Sequence, residues 1–417
     1  MKIKSLKLTD FKGFEQLHIE SFGKQTTAIV GNNGAGKSSI IEAIDMMFFY
    51  LLRYNWAHKY DESIIRNNSK RKIADITIEF DVDSKPVKQD LKFNNKKQLY
   101  SKDYNEKKAL GEKFRSSYEK NGISQIVISY PPSRIINNFS IKEKRIQDQI
   151  NNNLEDFANL VLESVVNYRE FVNWFEKMEN HENEIRLNED NNFRIKELEA
   201  LRKAYRIFFP EFKKLRMKRT SDADWKNPQL IFENNEKIFS FKQLSDGEQG
   251  VIALIGDIVK RLSEANPKLD NPLQGEAIIM IDEIELHLHP TWQRKIIKKL
   301  EAIFPNCQFI ITTHSPQVLS ELDGENDKII AIKNFKAYEI PTVFGRETNW
   351  ILETVMDTPA RPSEFKNQLR DYFDLIANDK LKEAEALRIK LEKQTGSDEP
   401  EFVKADMLIR RKKAMKK

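Results

Sequence analysis

A single cysteine, Cys307, stands in 417 residues, so the chain has neither a disulfide framework nor a zinc ribbon available to it. No apolar run reaches about 18 residues, and Met1-Lys2-Ile3-Lys4 leads straight into an alternating pattern. Those two absences exclude a spanning helix and a secretory signal, and they point to the cytoplasm with no membrane partner. An excess of one charge is also missing from the body of the chain. Lys and Arg total 69 against 64 Asp and Glu, a net of +5, and the tail from Lys404 to Lys417 holds seven cations against Asp406 alone. Outside that tail the protein is close to neutral, which weakens a general nucleic-acid reading. One local cluster, Arg202 to Arg219, interleaves basic residues with Tyr205, Phe208, Phe209 and Phe212. Such a mixture can stack bases, but the alternation Lys214-Leu215-Arg216-Met217-Lys218 fits a half-exposed strand better.

What is present is a charged globular composition, 40% hydrophobic and 32% charged, in a length that suggests two to three domains. Alternation predicts strands at about 2–9, 15–21 and 25–30, and a nearly continuous apolar stretch from Ser38 to Leu52 predicts a buried helix. Ile73–Phe80 and Ile123–Tyr130 alternate again, while the Lys/Asn-rich stretch 84–121 between them reads as an exposed insertion or a mobile loop. From about 140 to 209 the spacing becomes helical, with Leu154, Phe157, Leu160, Val161, Val165, Phe171, Trp174 and Phe175 mostly three or four apart and a Glu/Asn-rich break at 176–192. Strands return near 213–219, 229–233 and 237–241. A helix at 247–265, a strand at 276–282, a helix at 291–303 and strands at 307–312 and 328–333 follow. This alternation predicts an α/β fold with a mainly parallel, two-sided sheet. After Pro341 the stripes Phe365, Leu369, Tyr372, Phe373, Ile376 and Leu381, Ala384, Leu387, Leu391 predict a helical hairpin ending in a basic helix.

Four segments carry chemistry. Gly31-Asn32-Asn33-Gly34-Ala35-Gly36-Lys37-Ser38, followed by Ser39, satisfies the P-loop pattern between an apolar strand and a helix. Its glycines let backbone amides form an anion nest, Lys37 neutralises the outer phosphates of ATP, and the Ser38 hydroxyl ligates Mg²⁺. Ala277–Ile281 is an apolar strand that ends in Asp282 and Glu283, a Walker B pattern. Asp282 is placed for Mg²⁺, and Glu283, directed the other way along an extended chain, for the attacking water. Ser245-Asp246-Gly247-Glu248-Gln249 opens a long helix and reads equally as a capping box or as a second phosphate-binding surface. Phe309–Thr313 runs into His314, a candidate contact for the terminal phosphate. His287 and His289 sit just past the acidic pair, and a zinc site there is the weaker reading because magnesium already accounts for the acids.

Four motifs in this order are more specific than any one of them, and together they resemble the ATP-binding cassette (ABC) ATPases of the SMC/RecF/OLD type. The opening Leu6-x-Leu8-x-Asp10-Phe11-Lys12-Gly13-Phe14 and Ile64-Ile65-Arg66 carry the same resemblance. It implies an ABC-type P-loop head with a helical insertion, and a head-to-tail dimer or assembly of dimers that sandwiches two ATPs. In that arrangement Ser245–Gln249 serve the ATP of the other copy and His314 acts as the switch histidine. Gln243–Leu262, Gly275–Ser320, Gly345–Leu352 and Pro359-Ala360-Arg361-Pro362 further resemble the ATPase of Septu-type and retron-associated antiphage systems. That resemblance implies a defence role with an HNH nuclease as partner. A retron reverse transcriptase with its noncoding DNA, and DNA itself, are further candidate partners. A RecF-like repair or replication ATPase that clamps duplex DNA is the alternative, and a transporter subunit fits poorly.

From these readings the expected organisation is an N-terminal part of the ATPase domain over 1–139, a helical insertion over 140–209, and a C-terminal part over 210–341. A partner or assembly region covers 342–417. The interval from Lys37 to Ser245 is too short for long coiled-coil arms, and no Asp-x-Asp cluster follows His314, so no nuclease site is expected in the chain. Arg134 receives no role, and Gln125 is a weak candidate for the glutamine loop.

Overall fold

The computed structural model describes residues 1–52, 62–82, 85–94, 99–100, 126–132, 168–218, 229–234 and 237–415. Gln125, Arg134 and the helical positions Leu154 to Val165 lie outside them. Strands β1 (Lys2–Phe11) and β2 (Phe14–Ile19) form a hairpin, and β4 (Ile73–Val82), β5 (Lys85–Asn94) and β6 (Leu99–Tyr100) extend it into an antiparallel sheet ordered β2-β1-β4-β5-β6. Strand β5 corrects the expectation of a loop from position 84 onward. It pairs with β4 over its whole length, because Gln89, Leu91 and Phe93 line its buried face while Lys88, Asp90 and Lys92 alternate outward. The dense charge on one face hid the period of two on the other.

The second sheet contains β3 (Thr26–Gly31), β7 (Ile126–Tyr130), β11 (Ala277–Ile281), β12 (Gln308–Thr312), β13 (Lys328–Lys333) and β14 (Lys336–Ile340), in the order β14-β13-β3-β12-β11-β7. Five of the six run parallel; β14 is the antiparallel edge. Helix α1 (Lys37–Leu52) packs against β4 of the first sheet and against β3, β7 and β12 of the second. Lying between two sheets, it has no solvent face over Ile40, Ala43, Ile44, Met47 and Phe48, which explains its lack of amphipathic spacing.

Helices α2 (Tyr168–Asn188), α3 (Lys196–Phe208) and α4 (Asp246–Ala265) pack together, beside a three-stranded sheet of β8 (Lys214–Lys218), β9 (Gln229–Glu233) and β10 (Ile238–Ser240). Helix α2 runs through most of the Glu/Asn-rich stretch expected to break it and ends at Asn188. Two of its acids are buried and paired: Glu182 accepts from Arg202 and from the Ile195 N–H, and Glu179 accepts from the Met217 N–H. The aromatic members of the basic cluster are also buried. Phe208 and Phe209 pack on Trp292, and Tyr205 and Phe212 pack on Phe232, so none of them offers a face to a base. Strand β8 exposes Lys214, Arg216 and Lys218 and buries Leu215 and Met217, as alternation predicts. The expected helix at 291–303 divides into a single turn, Pro290–Gln293, and α5 (Ile296–Ile303).

The chain divides into two compact units, Met1–Ile351 and Leu352–Lys417, with helix α6 (Thr348–Thr354) spanning the division. In the second unit α7 (Ser363–Ala377), α8 (Leu381–Thr395) and α9 (Pro400–Met415) share a small core of Leu369, Tyr372, Ile376, Ala384, Leu391, Phe402 and Ala405. Helix α9 thus covers part of the apolar stripe that a hairpin of α7 and α8 leaves open. Lys412 donates to the carbonyls of Ile376 and Ala377, a cation at the negative end of α7. Among the described residues no helix is long and apolar enough to cross a membrane.

Candidate functional site

The site grows from the sheet order. Strand β3 lies between β12 and β13, and its neighbours on one side are β12 and then β11, all parallel. Their carboxyl ends therefore meet at one edge, where an open α/β sheet binds ligands. That edge carries Gly31 at the end of β3, Asp282 and Glu283 after β11, and Thr313 and His314 after β12.

The loop after β3 needs its glycines at two positions. Gly31 has φ +156°, and a Cβ there would lie 2.6 Å from the Ile332 carbonyl of β13. Gly36 has φ +97° and abuts the Phe14 ring, so a side chain would displace that aromatic. Asn32, Asn33, Gly34 and Ser38 are exposed, while Ala35, Gly36 and Ser39 are half-buried. Lys37 is 7% exposed and folds back to donate to Gly31 O at 3.0 Å and Asn32 O at 3.3 Å. Burial lowers its pKa, and the negative charges of Asp282, Glu283 and Glu285 oppose that shift. The P-loop ammonium thus sits in the field of three carboxylates.

The acidic pair is held by its neighbours. Asp282 is buried; its N–H donates to the Tyr130 carbonyl of β7 at 2.9 Å, and its Oδ1 accepts from the Thr312 hydroxyl. The same hydroxyl accepts the Glu283 N–H at 2.8 Å. Glu283 is not extended, as the strand pattern suggested, but left-handed at φ +49°. The strand ends at Ile281, and a tight turn stabilised by Thr312 takes over, a strained conformation of the kind found at functional sites. Glu285 Oε1 then accepts the His314 N–H at 2.6 Å, which ties the Walker B loop to the switch segment. Ser315 caps the next turn and donates to Gln293 Oε1 at 2.6 Å.

The remaining motif residues take other positions. Ser245 is the N-cap of α4 in a complete capping box with Glu248, and Ser245 and Asp246 are exposed. Gly247 is buried against the loop after Walker B, where a Cβ would lie 2.5 Å from the His287 carbonyl. Gln249 donates to the Leu244 carbonyl. His287 and His289 are exposed, and His289 Nδ1 accepts the Thr291 N–H as a helix cap. Among the described residues no group of three or more His, Cys, Asp or Glu side chains is arranged to hold a metal. The opening hairpin and the Ile64-Ile65-Arg66 segment meet: Lys12 N donates to Ile64 O at 2.7 Å, Arg66 Nε donates to Asp10 Oδ1 at 3.0 Å, and Lys12 pairs with Glu42 of α1.

The parts that Thr312, Tyr130 and Phe14 play at this edge were not read from the sequence. Thr312 was legible as a hydroxyl at the edge end of an apolar strand. Tyr130 and Phe14 act through a carbonyl and a ring contact that no local pattern marks.

The chain is similar to the retron Ec83 probable ATPase of Escherichia coli, 29% identical over 99% of this chain and 87% of that protein. It is similar also to the Septu protein PtuA of Bacillus mycoides (strain KBAB4), 26% identical over 93% of this chain and 49% of that protein. Among solved structures, the SMC head bound to the C-winged helix domain of ScpA matches with a TM-score of 0.50 at 17% identity, covering 82% of this chain and 97% of that one. That likeness shows the fold, an SMC-head-like P-loop ATPase. The family model described as AAA domain, putative AbiEii toxin, Type IV TA system matches residues 26–320, which hold the P-loop, the acidic pair and His314. With most of its length inside that match, the chain belongs to this AAA-domain family and has the ABC-type ATPase fold of its defence-system relatives.

Proposed function

We propose that the protein binds and hydrolyses ATP at this sheet edge, as the ATPase subunit of an antiphage defence system. The observation that carries the reading is the placement of Lys37 in the field of Asp282, Glu283 and Glu285, with His314 tied to Glu285. Lys37 donates to two neutral carbonyls, Gly31 O and Asn32 O, and can exchange them for phosphate oxygens. Asn32 to Ser39 and the start of α1 offer amides and positive potential to the phosphates. Glu283, held by Thr312, orients and deprotonates the water that attacks the terminal phosphate, and His314 steadies that phosphate. The donors at this edge, the Ser38 hydroxyl and the Asp282 carboxylate, are hard oxygens that suit magnesium, which supplies charge neutralisation when bound.

The exposed Ser245 and Asp246 suit service to the ATP of a second copy, in a head-to-tail dimer or an assembly of dimers. The relatives' names, retron and Septu, support a defence role. In this reading a partner nuclease of the HNH class does the cutting, in a cytoplasmic complex to which a retron reverse transcriptase and its DNA belong as further partners. The segment 342–417, which contains the second unit, Leu352–Lys417, serves partner docking or assembly. Burial of Tyr205, Phe208, Phe209 and Phe212 removes the base-stacking surface that the basic cluster suggested.

The test is complementation. Lys37→Ala abolishes nucleotide binding, whereas Ser245→Arg spares binding and blocks hydrolysis. In a mixed dimer one site carries both lesions and the other neither, so mixing restores part of the activity. No recovery, with mixed dimers shown to form, overturns the shared site.

A further inference from the structure

Helix α4 is apolar and buried from Val251 to Leu262 except for the half-buried Lys260 and two buried charged residues, Asp257 and Arg261, each under 10% exposed. They pair one turn apart, Arg261 Nε donating to Asp257 Oδ2 at 2.7 Å. The same carboxylate oxygen accepts the phenol of Tyr130 at 2.8 Å, and Tyr130 is 0% exposed. Tyr130 is the last residue of β7, and its own carbonyl accepts the Asp282 N–H. One residue therefore holds the helix that begins at Ser245 with its side chain and the Walker B aspartate with its backbone.

We propose that Tyr130 is a positioning residue that couples the helix beginning at Ser245 to Asp282, so that the seating of that helix sets the placement of the carboxylate. This rests on the reading that the Asp282 edge serves ATP with magnesium. Three physical points support it. A charged pair inside an apolar helix is costly to bury and keeps its partners, because losing one leaves an uncompensated charge. Pro131 follows Tyr130 and confines it to extended backbone, which fixes the direction of the carbonyl that meets Asp282. Asp257 lies about three turns from the start of α4, and the helix is packed on nearly all sides between, so a displacement at its N-terminus travels as a rigid shift.

The experiment compares wild type with Tyr130→Phe, Asp257→Asn and the double variant. It follows nucleotide affinity with a fluorescent ATP analogue without magnesium, the magnesium concentration for half-maximal nucleotide response, and steady-state hydrolysis. Tyr130→Phe keeps the ring and the carbonyl and loses only the phenol bond. The expected result is magnesium-free affinity within about twofold, a severalfold rise in the magnesium requirement, and a kcat lower by about ten- to a hundredfold, the scale of a hydrogen bond to a charged group. The double variant is no worse than Asp257→Asn, which weakens the same phenol bond and also discharges the Arg261 pair. Should Tyr130→Phe not fold, Asp257→Asn decides, because it replaces the charged acceptor of the phenol bond by a neutral one and the same readouts apply. A wild-type magnesium requirement and kcat, additive losses, or an equal loss of magnesium-free affinity overturns the proposal. Absence of hydrolysis in wild type, by contrast, sinks the ATPase reading itself, so the two failures are told apart.

Discussion

Replacing Thr312 by valine removes one hydroxyl and keeps the shape of a side chain that is 0% exposed. That hydroxyl makes two bonds, accepting the Glu283 N–H and donating to Asp282 Oδ1. A neutral bond contributes about 1 kcal/mol and one to a carboxylate about 1.5–3 kcal/mol, so Thr312→Val lowers unfolding free energy by about 2–4 kcal/mol. The first unit stays folded if its stability is typical of a globular domain. The larger effect falls on turnover. Glu283 is held in a left-handed conformation that costs about 1–3 kcal/mol, and without the Thr312 acceptor the turn relaxes. The expected kcat falls ten- to a hundredfold, while nucleotide affinity stays within about threefold because the P-loop is braced separately by Phe14 and Ile332. Steady-state phosphate release, equilibrium binding of a fluorescent nucleotide and urea melts read the three quantities, with Thr312→Ser as the variant that restores the hydroxyl and the rate. A Thr312→Val kcat within twofold of wild type, alongside the expected loss of stability, would refute the reasoning.

Further outcomes follow from the rest of the molecule. Glu301 accepts from Thr26 and Lys298 beside Asp327, and burial pushes its carboxyl up to about 7. A folded-state value above the ordinary one means its stabilisation is complete below about pH 4.5 and is lost as pH rises through about 7. Glu301→Gln therefore flattens the decline in urea-melt stability between pH 5 and pH 8. In the second unit Leu391 is 0% exposed, so Leu391→Ala costs that unit about 2–5 kcal/mol and leaves nucleotide binding unchanged. Ending the chain at Ile351 keeps nucleotide binding within about threefold and abolishes assembly or co-purification with the nuclease; loss of binding in a folded product would move the tail into the ATPase unit.

The parts of the fold that were legible are those where one local rule acts alone. The P-loop shows in sequence because anion binding demands Gly31, Gly36 and Lys37 in fixed spacing, and β11 and β12 show because strands buried on both faces read as apolar runs, Ala277–Ile281 before Asp282 and Phe309–Ile311 before Thr312. Strand β5 was hidden because charge on its outer face dominated its composition. The run of α2 through Glu176–Asn188 was hidden because the partners of Glu179 and Glu182 come from residues 13 to 38 positions away. The turn at Glu283 was unreadable for a similar reason: its acceptor, Thr312, is 29 positions on. The Ser245 box was legible as geometry, since the capping bonds form within α4 itself.

The central claim, hydrolysis of ATP at the Asp282–Glu283 edge, is tested most directly by phosphate release from wild type and Glu283→Gln under saturating ATP and magnesium, with nucleotide occupancy measured in parallel. Wild type is expected to turn over, and Glu283→Gln to bind ATP as tightly while releasing phosphate about 10²–10⁴-fold more slowly, the usual loss when a general base is removed. Equal rates in the two proteins would contradict the account.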